Sequence, residues 1–167
     1  ASNLTLATWN VECITEARII ELQLHMQQLG IGILCLQETH RTQSAYYVTE
    51  EGYLLILPGS SDQDVSETAG VGFLVAPSVR RSVIGFRQAS SRMASLKLRV
   101  QGGKIVIATA YVPHSGKPIE ERRHFFSDLG AFLSGLSSHG PKIVLGDFNA
   151  RLLRHFANEG PAVGPYL

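Results

Sequence analysis

Three apolar, strand-like stretches of this 167-residue chain each end abruptly in amide and carboxyl side chains. The polar segments are Thr8-Trp9-Asn10, Gln37-Glu38-Thr39 and Gly146-Asp147-Phe148-Asn149, and each closes a run of aliphatic and β-branched residues. Carboxylates and amides bind hard metal ions and phosphates. Strand ends in an α/β sheet gather along one edge, so the pattern predicts a fold with a polar active site at that edge.

The N-terminal part of the chain predicts a strand, a helix and a second strand. Residues 4–11 alternate as a strand does, and residues 31–36 form a short apolar run typical of a buried strand. Thr15 caps the intervening helix and Gly30 ends it. The apolar residues that repeat at helical spacing are Ile19, Leu22, Met26 and Leu29. Such a unit favours parallel pairing of its two strands.

The middle of the chain is rich in strands, predicted at residues 54–57, 70–76, 82–86, 93–100 and 104–112. An acidic polar stretch after Pro58 predicts an exposed loop in a hairpin made by the first two. Gln101-Gly102-Gly103 predicts a tight turn between the last two. The middle is therefore expected to be antiparallel.

A second helix and a last strand complete the pattern. Pro118 opens the helix, and Glu120 and Glu121 in its first turn suit the helix dipole. Its expected core residues are Phe125, Leu129, Phe132 and Leu136. Residues 142–147 predict another buried strand. The chain has the length of one α/β domain.

The composition excludes several classes of protein. No apolar run reaches the roughly 20 residues of a membrane-spanning helix, and the first residues lack the basic-then-apolar order of a secretory signal. Cys13 and Cys35 have no histidine at ligand spacing, which argues against a zinc site. Cys35 lies in an apolar run, where a buried free thiol is expected. We expect a nuclear or cytoplasmic protein that is not secreted and contacts no membrane.

The net charge of +1 conceals an uneven distribution. Residues 1–67 hold nine acidic and two basic residues, whereas residues 68–119 hold eight basic residues and no acidic one. The eight are Arg80, Arg81, Arg87, Arg92, Lys97, Arg99, Lys104 and Lys117. Two interpretations are equally open: a face that attracts a polyanion such as DNA, or an ordinary solvated surface.

Four polar residues fall at the C-terminal ends of predicted strands: Asn10, Glu38, Tyr111 and Asp147. If these strands are neighbours, the four side chains share a cleft. His114 and Arg92 are further candidates for substrate binding. His114 either contacts a phosphate or caps its loop, and Arg92 either contacts a phosphate or begins a strand.

The motifs and their order resemble the endonuclease/exonuclease/phosphatase superfamily, the metal-dependent phosphodiesterases related to deoxyribonuclease I, over nearly the whole chain. In that family an asparagine precedes an acidic residue by two positions, and a glutamate is the principal magnesium ligand. A tyrosine precedes Val-Pro, and an aspartate precedes an asparagine by two positions. The matching residues are Asn10 with Glu12, Glu38, Tyr111 with Val112-Pro113, and Asp147 with Asn149.

This resemblance implies a four-layer α/β sandwich and a Mg²⁺ site, with Mn²⁺ as an alternative ion. Glu38, together with Glu12 and Asn10, would bind the metal. Asp147 would deprotonate the attacking water. Hydrogen bonds to the metal site or the phosphate would come from Asn10, Tyr111 and Asn149.

The family also carries a further aspartate and a terminal Ser-Asp-His-like motif. Neither occurs in the eighteen residues that follow Asn149. We therefore expect residues 1–167 to form a single, C-terminally truncated domain with an incomplete second sheet. Its activity is expected to be weak or absent.

Within the superfamily, the sequences around Asn10, Glu38 and Asp147, and residues 70–75, most resemble the endonuclease domain of non-LTR retrotransposons. That resemblance implies nicking of one DNA strand and a covalently linked reverse transcriptase in the full-length protein. Two alternatives stay open. One is a phosphatase or phosphodiesterase acting on a small phosphoester or RNA, and the other is a non-catalytic remnant that binds nucleic acid.

Overall fold

Two β-sheets face each other in the computed structural model, which describes residues 3–59, 69–136 and 140–150. The strands of the first sheet are β1 (Thr5–Asn10), β2 (Ile31–Gln37), β3 (Ala45–Val48), β4 (Leu54–Leu57) and β5 (Val71–Val75). They lie in the order β1-β2-β5-β4-β3. The strands described in the second sheet lie in sequence order: β6 (Val83–Ser90), β7 (Met93–Val100), β8 (Gly103–Tyr111) and β9 (Lys142–Asp147).

Within the described residues, three helices connect or flank these strands: α1 (Glu16–Leu29), α2 (Pro77–Arg80) and α3 (Ile119–Ser134). Helix α1 links β1 to β2, and α3 links β8 to β9. Both of these pairs are parallel, as expected for strands joined by a helical crossover. The other strand pairs are antiparallel.

Three apolar cores separate four layers. Helix α1 packs on the first sheet through Leu22 and Met26. The inner faces of the two sheets pack on each other around Phe73 and Leu96. Helix α3 covers part of the outer face of the second sheet, with Phe125 in its core. The four-layer α/β sandwich is therefore confirmed.

Most of the predicted elements form as expected. The parallel β1–β2 pair, the β4–β5 hairpin and the β7–β8 hairpin are all present. Thr15 caps α1 by accepting a hydrogen bond from the backbone N–H of Arg18 at 3.1 Å, and Gly30 ends the helix with φ of 65°. The acidic loop predicted between β4 and β5 falls largely at residues 60–68, outside the described residues.

One prediction about burial is wrong, and one apolar residue of α1 is exposed. Strand β9 has the predicted bounds but is not buried, because it pairs only with β8 among the described strands, and Ile143 is 37% exposed. Leu29 has the spacing of the α1 core residues, yet as the last residue of the helix it is 65% exposed. Two elements are not predicted at all: β3 is an edge strand with exposed side chains, and α2 is a single turn.

The expected free thiol is confirmed. Cys35 is fully buried and unpaired, and burial raises its pKa to about 12. Cys13 is also free, and it is exposed. Within the described ranges, no helix combines the length and the apolar character needed to cross a bilayer.

Candidate active site

The C-terminal ends of four strands meet at one edge of the sandwich. In the parallel β1–β2 pair Asn10 lies opposite Gln37, and in the parallel β8–β9 pair Tyr111 lies opposite Asp147. Strands β1 and β9 contact each other across the two sheets. The two parallel pairs therefore end side by side, at what is called here the active-site edge.

Four of the predicted site residues form one hydrogen-bonded cluster at this edge. Asn10 Nδ2 donates to Glu38 Oε1 at 2.8 Å and to Asp147 Oδ2 at 3.0 Å. The Tyr111 hydroxyl donates to the same Glu38 Oε1 at 2.7 Å. One amide group thus bridges two carboxylates that are separated by more than a hundred residues in the sequence.

Asp147 is held at both carboxylate oxygens. While Oδ2 accepts from Asn10, Oδ1 accepts from the backbone N–H of Asn149 at 2.9 Å. The side chain of Asn149 turns away from this carboxylate and donates to the carbonyl oxygen of Val112 at 2.7 Å. Asn149 therefore positions Asp147 and ties the end of β9 to the segment after β8.

The loops that carry these residues have an uncommon backbone conformation. Among the described residues, the non-glycine positions with positive φ are Glu12, Cys13, Glu38, His40 and Asn149. A left-handed conformation costs a non-glycine residue about 1–2 kcal/mol, and such residues concentrate at functional sites. The β1 and β2 loops are held by backbone hydrogen bonds beyond the strand ends, including Cys13 N–H to the Glu38 carbonyl at 2.8 Å.

Hydrogen bonding sets the ionisation of the cluster. Burial acts to raise the pKa of Glu38, but the hydrogen bonds from Asn10 and Tyr111 and the charge of His40 outweigh it, so the pKa lies below its usual value. Burial and the bond to Glu38 raise the pKa of Tyr111 to about 12. At neutral pH Glu38 is therefore a carboxylate and Tyr111 is a hydrogen-bond donor.

His40 is a site residue to which sequence reasoning assigned no function. Its Nε2 is buried, lies 3.5 Å from Glu38 Oε2, and has no hydrogen-bond partner within the described part of the chain. At this distance His40 is one of the groups that lower the pKa of Glu38. In the sequence, the signal for His40 is its position two residues after Glu38. Its positive φ, and its approach to the Glu38 carboxylate, could not be predicted from that position.

The three predicted metal ligands differ in what they present. Glu38 has an oxygen, Oε2, outside the hydrogen bonds of the cluster. Asn10 acts as a donor through Nδ2, and its Oδ1 accepts from the backbone N–H of Glu12 at 3.2 Å, while the Glu12 side chain is exposed. No three His, Cys, Asp or Glu side chains form a metal cage among the described residues. One or two carboxylates with several waters is the coordination that Mg²⁺ favours, so the donor set fits this ion.

Of the two further candidates for substrate binding, the structure places Arg92 beside the cluster. Its guanidinium lies 4.7 Å from the centre of the Tyr111 ring and donates to the Tyr111 carbonyl oxygen at 3.4 Å. His114 instead accepts a hydrogen bond from the backbone N–H of Gly116 at 3.1 Å, within its own loop. The contacts of Arg92 are with the active-site edge, and those of His114 are local.

A buried polar bridge lies directly behind the cluster. Gln37, which is 1% exposed, donates through Nε2 to Thr109 Oγ1 at 2.9 Å and accepts from Thr8 Oγ1 at 3.0 Å. The bridge joins β1 and β2 of the first sheet to β8 of the second. It therefore fixes how the ends of β2 and β8 face each other, where Glu38 and Tyr111 meet.

Thr109→Val keeps the shape of the side chain but leaves Gln37 Nε2 buried without a partner. We expect the free energy of unfolding to fall by about 1–3 kcal/mol, as for other unsatisfied buried polar groups. Adding Gln37→Met removes the stranded amide, so the double variant should lose less than the two single variants together. Urea unfolding of the two single variants and the double variant measures these losses in free energy. If the losses of the single variants simply add in the double variant, Gln37 and Thr109 are not energetically coupled.

The family comparison matches the chain over residues 7–163 to the Endonuclease/Exonuclease/phosphatase family. Among curated proteins, the chain is 25% identical over 154 residues to the "Transposon TX1 uncharacterized 149 kDa protein" of Xenopus laevis. That match covers 89% of this chain but 11% of the transposon protein. The chain is thus similar to a small part of a much longer polypeptide.

Solved structures share the fold at low sequence identity. The endonuclease domain of TRAS1, a telomere-specific non-LTR retrotransposon, has a TM-score of 0.59 at 16% identity, covering 90% of this chain and 61% of that one. An AP endonuclease from Archaeoglobus fulgidus has a TM-score of 0.60 at 20% identity, covering 88% and 58%. A family protein from Leptotrichia buccalis has a TM-score of 0.61 at 16% identity, covering 88% and 67%. With the family matched over residues 7–163, this chain belongs to the Endonuclease/Exonuclease/phosphatase family.

Proposed function

We propose that the chain is a metal-dependent phosphodiester hydrolase that nicks DNA, as part of a retrotransposon-type protein with a linked reverse transcriptase. The observation that carries this proposal is the Asn10 amide bridging the carboxylates of Glu38 and Asp147 at 2.8 and 3.0 Å. The family supports hydrolysis of a phosphoester. The similarity to a transposon protein and to a retrotransposon endonuclease domain supports DNA as the substrate.

In this proposal the two carboxylates have different tasks. Asp147 accepts the proton of the attacking water on a carboxylate oxygen, in an orientation fixed by Asn10 and by the backbone of Asn149. Glu38 would hold the metal through Oε2, Glu12 would supply a second carboxylate, and Asn10 aligns the carboxylates of Glu38 and Asp147. When bound, Mg²⁺ or Mn²⁺ supplies Lewis acidity at a phosphoryl oxygen.

Three further side chains are proposed to contact the phosphate and stabilise its negative charge. Tyr111 stays protonated across the neutral range because its pKa is about 12. Its single hydroxyl hydrogen is held by Glu38 and would reach a phosphate oxygen once that hydrogen bond opens. The Arg92 guanidinium lies beside the Tyr111 ring, and in this proposal it contacts a phosphate oxygen. His114 is proposed as a secondary phosphate contact, once its hydrogen bond to Gly116 opens.

Nicking of supercoiled plasmid tests the proposal. The chain, and a version continued through any downstream reading frame, are incubated with Mg²⁺ or with EDTA. We expect nicked circles with Mg²⁺, more strongly from the longer version, and none with EDTA. If both versions leave plasmid intact but hydrolyse a soluble phosphodiester, the small-phosphoester alternative replaces DNA. If both are inert on either substrate, the chain is a non-catalytic remnant.

A further inference from the structure

Three cations lie on the outer face of the second sheet, beyond the part that α3 covers. Side chains alternate along a strand, so Lys97 and Arg99 of β7 point to the same side. Lys104 of β8 pairs directly with Arg99 and shares that side. The inner side carries Leu96 and Leu98, which pack in the core between the sheets. Lys97, Arg99 and Lys104 are together called the basic face.

Two cations of the basic face, Arg99 and Lys104, make no stabilising charge contact among the described residues. Arg99 and Lys104 stand opposite each other on neighbouring antiparallel strands, and like charges in that position destabilise a sheet. Neither forms an ion pair with an acidic side chain among the described residues. A pair of facing cations that opposes folding is consistent with a polyanionic ligand.

Neighbouring cations on the same side of the sheet have structural partners instead. Arg87 donates to the Gly135 carbonyl oxygen at 3.2 Å, and Lys142 donates to the Leu133 carbonyl oxygen at 2.6 Å. Both satisfy backbone carbonyls at the C-terminal end of α3, where positive charge is favourable. Arg99 and Lys104 make no such contact in the part of the chain that the structure describes.

The basic face also borders a cavity of about 800 Å³. All three cations line it, beside the Gly102-Gly103 turn and Pro141. No acidic residue is part of this lining among the described residues. A concave surface lined by one sign of charge concentrates counter-ions of the opposite sign.

The basic face and the active-site edge are far apart. Lys104 lies near the start of β8 and Tyr111 at its end, so the strand separates them by roughly 25 Å at about 3.4 Å per residue. The basic face also looks outward from the sheet, whereas the active site lies at the edge of the sandwich. One straight duplex lying along that edge does not reach both.

We propose that the basic face binds the sugar–phosphate backbone of a DNA duplex separate from the stretch held at the active-site edge. Its side chains contact phosphates, so the binding does not depend on base sequence. The protein therefore holds two duplex segments at once. This inference concerns binding only and does not depend on whether the active site is competent.

The number of bound duplexes tests this proposal. In EDTA and low salt, wild-type protein is titrated with a duplex of about 12 base pairs, roughly 40 Å long, and the stoichiometry is read by analytical ultracentrifugation. The face variant Arg99→Gln with Lys104→Gln is expected to bind one duplex fewer than wild type. The control Arg81→Gln with Arg123→Gln removes the same charge from exposed positions outside the basic face and should match wild type.

A charge reversal separates lost binding from lost folding. Arg99→Glu converts the facing cations into a cross-strand pair of opposite charge with Lys104, so its melting temperature should equal or exceed that of wild type. Its duplex stoichiometry should still fall by one. Wild-type stoichiometry in both the face variant and Arg99→Glu overturns the proposal. If DNA does not bind at the active-site edge, the wild type, the control and the variants of the basic face each bind one duplex fewer than expected. The difference of one duplex between the wild type and the variants of the basic face then remains.

Discussion

Glu38→Gln is expected to lower the rate of phosphodiester hydrolysis by about 10³-fold, equivalent to about 4 kcal/mol of transition-state stabilisation. The amide keeps the shape of the carboxylate and an oxygen that accepts from Asn10 and Tyr111. It lacks the negative charge that a hard cation requires. The loss should appear in kcat with Mg²⁺ present, because the cluster can still assemble around the amide.

The control for this variant is Glu50→Gln, which makes the same chemical change at an exposed position away from the cluster. It should retain wild-type activity. If Glu38→Gln also retained activity, the proposed metal ligand would be wrong and hydrolysis would have to depend on other carboxylates. A parallel melting curve establishes that both variants are folded.

The role of Glu38 can also be tested without metal, by measuring the free energy of unfolding as a function of pH in EDTA. The folded-state pKa of Glu38 lies below its ordinary value, so the ionised form is favoured by folding. The resulting stability is fully present above the ordinary glutamate pKa and is lost as the pH falls through the folded-state pKa. The stability difference between wild type and Glu38→Gln should therefore narrow on acidification, whereas the Glu50→Gln protein should follow wild type.

Sequence reasoning identified the residues of the hydrogen-bonded cluster because their signal is local. An apolar run that ends in a carboxylate or an amide identifies a strand end from a few residues, as at Asn10, Glu38 and Asp147. The convergence of these ends follows from parallel pairing through helical crossovers. The residues of the cluster could therefore be predicted from the sequence, but the hydrogen bonds between them could not.

Features that depend on how distant strands and sheets align could not be predicted from the sequence. Gln37 and Thr109 are 72 residues apart, and their bond depends on how one sheet sits on the other, which no local periodicity encodes. The prediction that β9 is buried was wrong for a related reason, since among the described strands β9 lies at the edge of its sheet. An apolar run reads the same in a central strand and in an edge strand, and only the topology distinguishes them.

Gly146→Ala is expected to lower the free energy of unfolding by about 3 kcal/mol and to abolish most of the activity. Gly146 pairs with Ala110 across β8 and β9, and a Cβ at this position would overlap the backbone carbonyl of Ala110. The obstacle is the backbone of a central strand, so it cannot move aside as a flexible side chain does. Relief requires β9 to move away from β8.

Asp147 is the next residue, so such a movement carries its carboxylate away from the Asn10 amide. A displacement of about 1 Å can cost about 10²-fold in rate, and the activity loss should therefore exceed the loss of folded protein. Urea unfolding and plasmid nicking of the same preparation measure the two effects.

Gly130→Ala is the matched control, since a Cβ at that helical position meets no atom within 4 Å. We expect its stability to be unchanged or higher by up to about 1 kcal/mol, because alanine favours a helix. Wild-type activity in Gly146→Ala would show that Asp147 does not need the close β8–β9 contact. Lost activity in a protein that still unfolds cooperatively would show that the active site depends on this contact more strictly than the fold does.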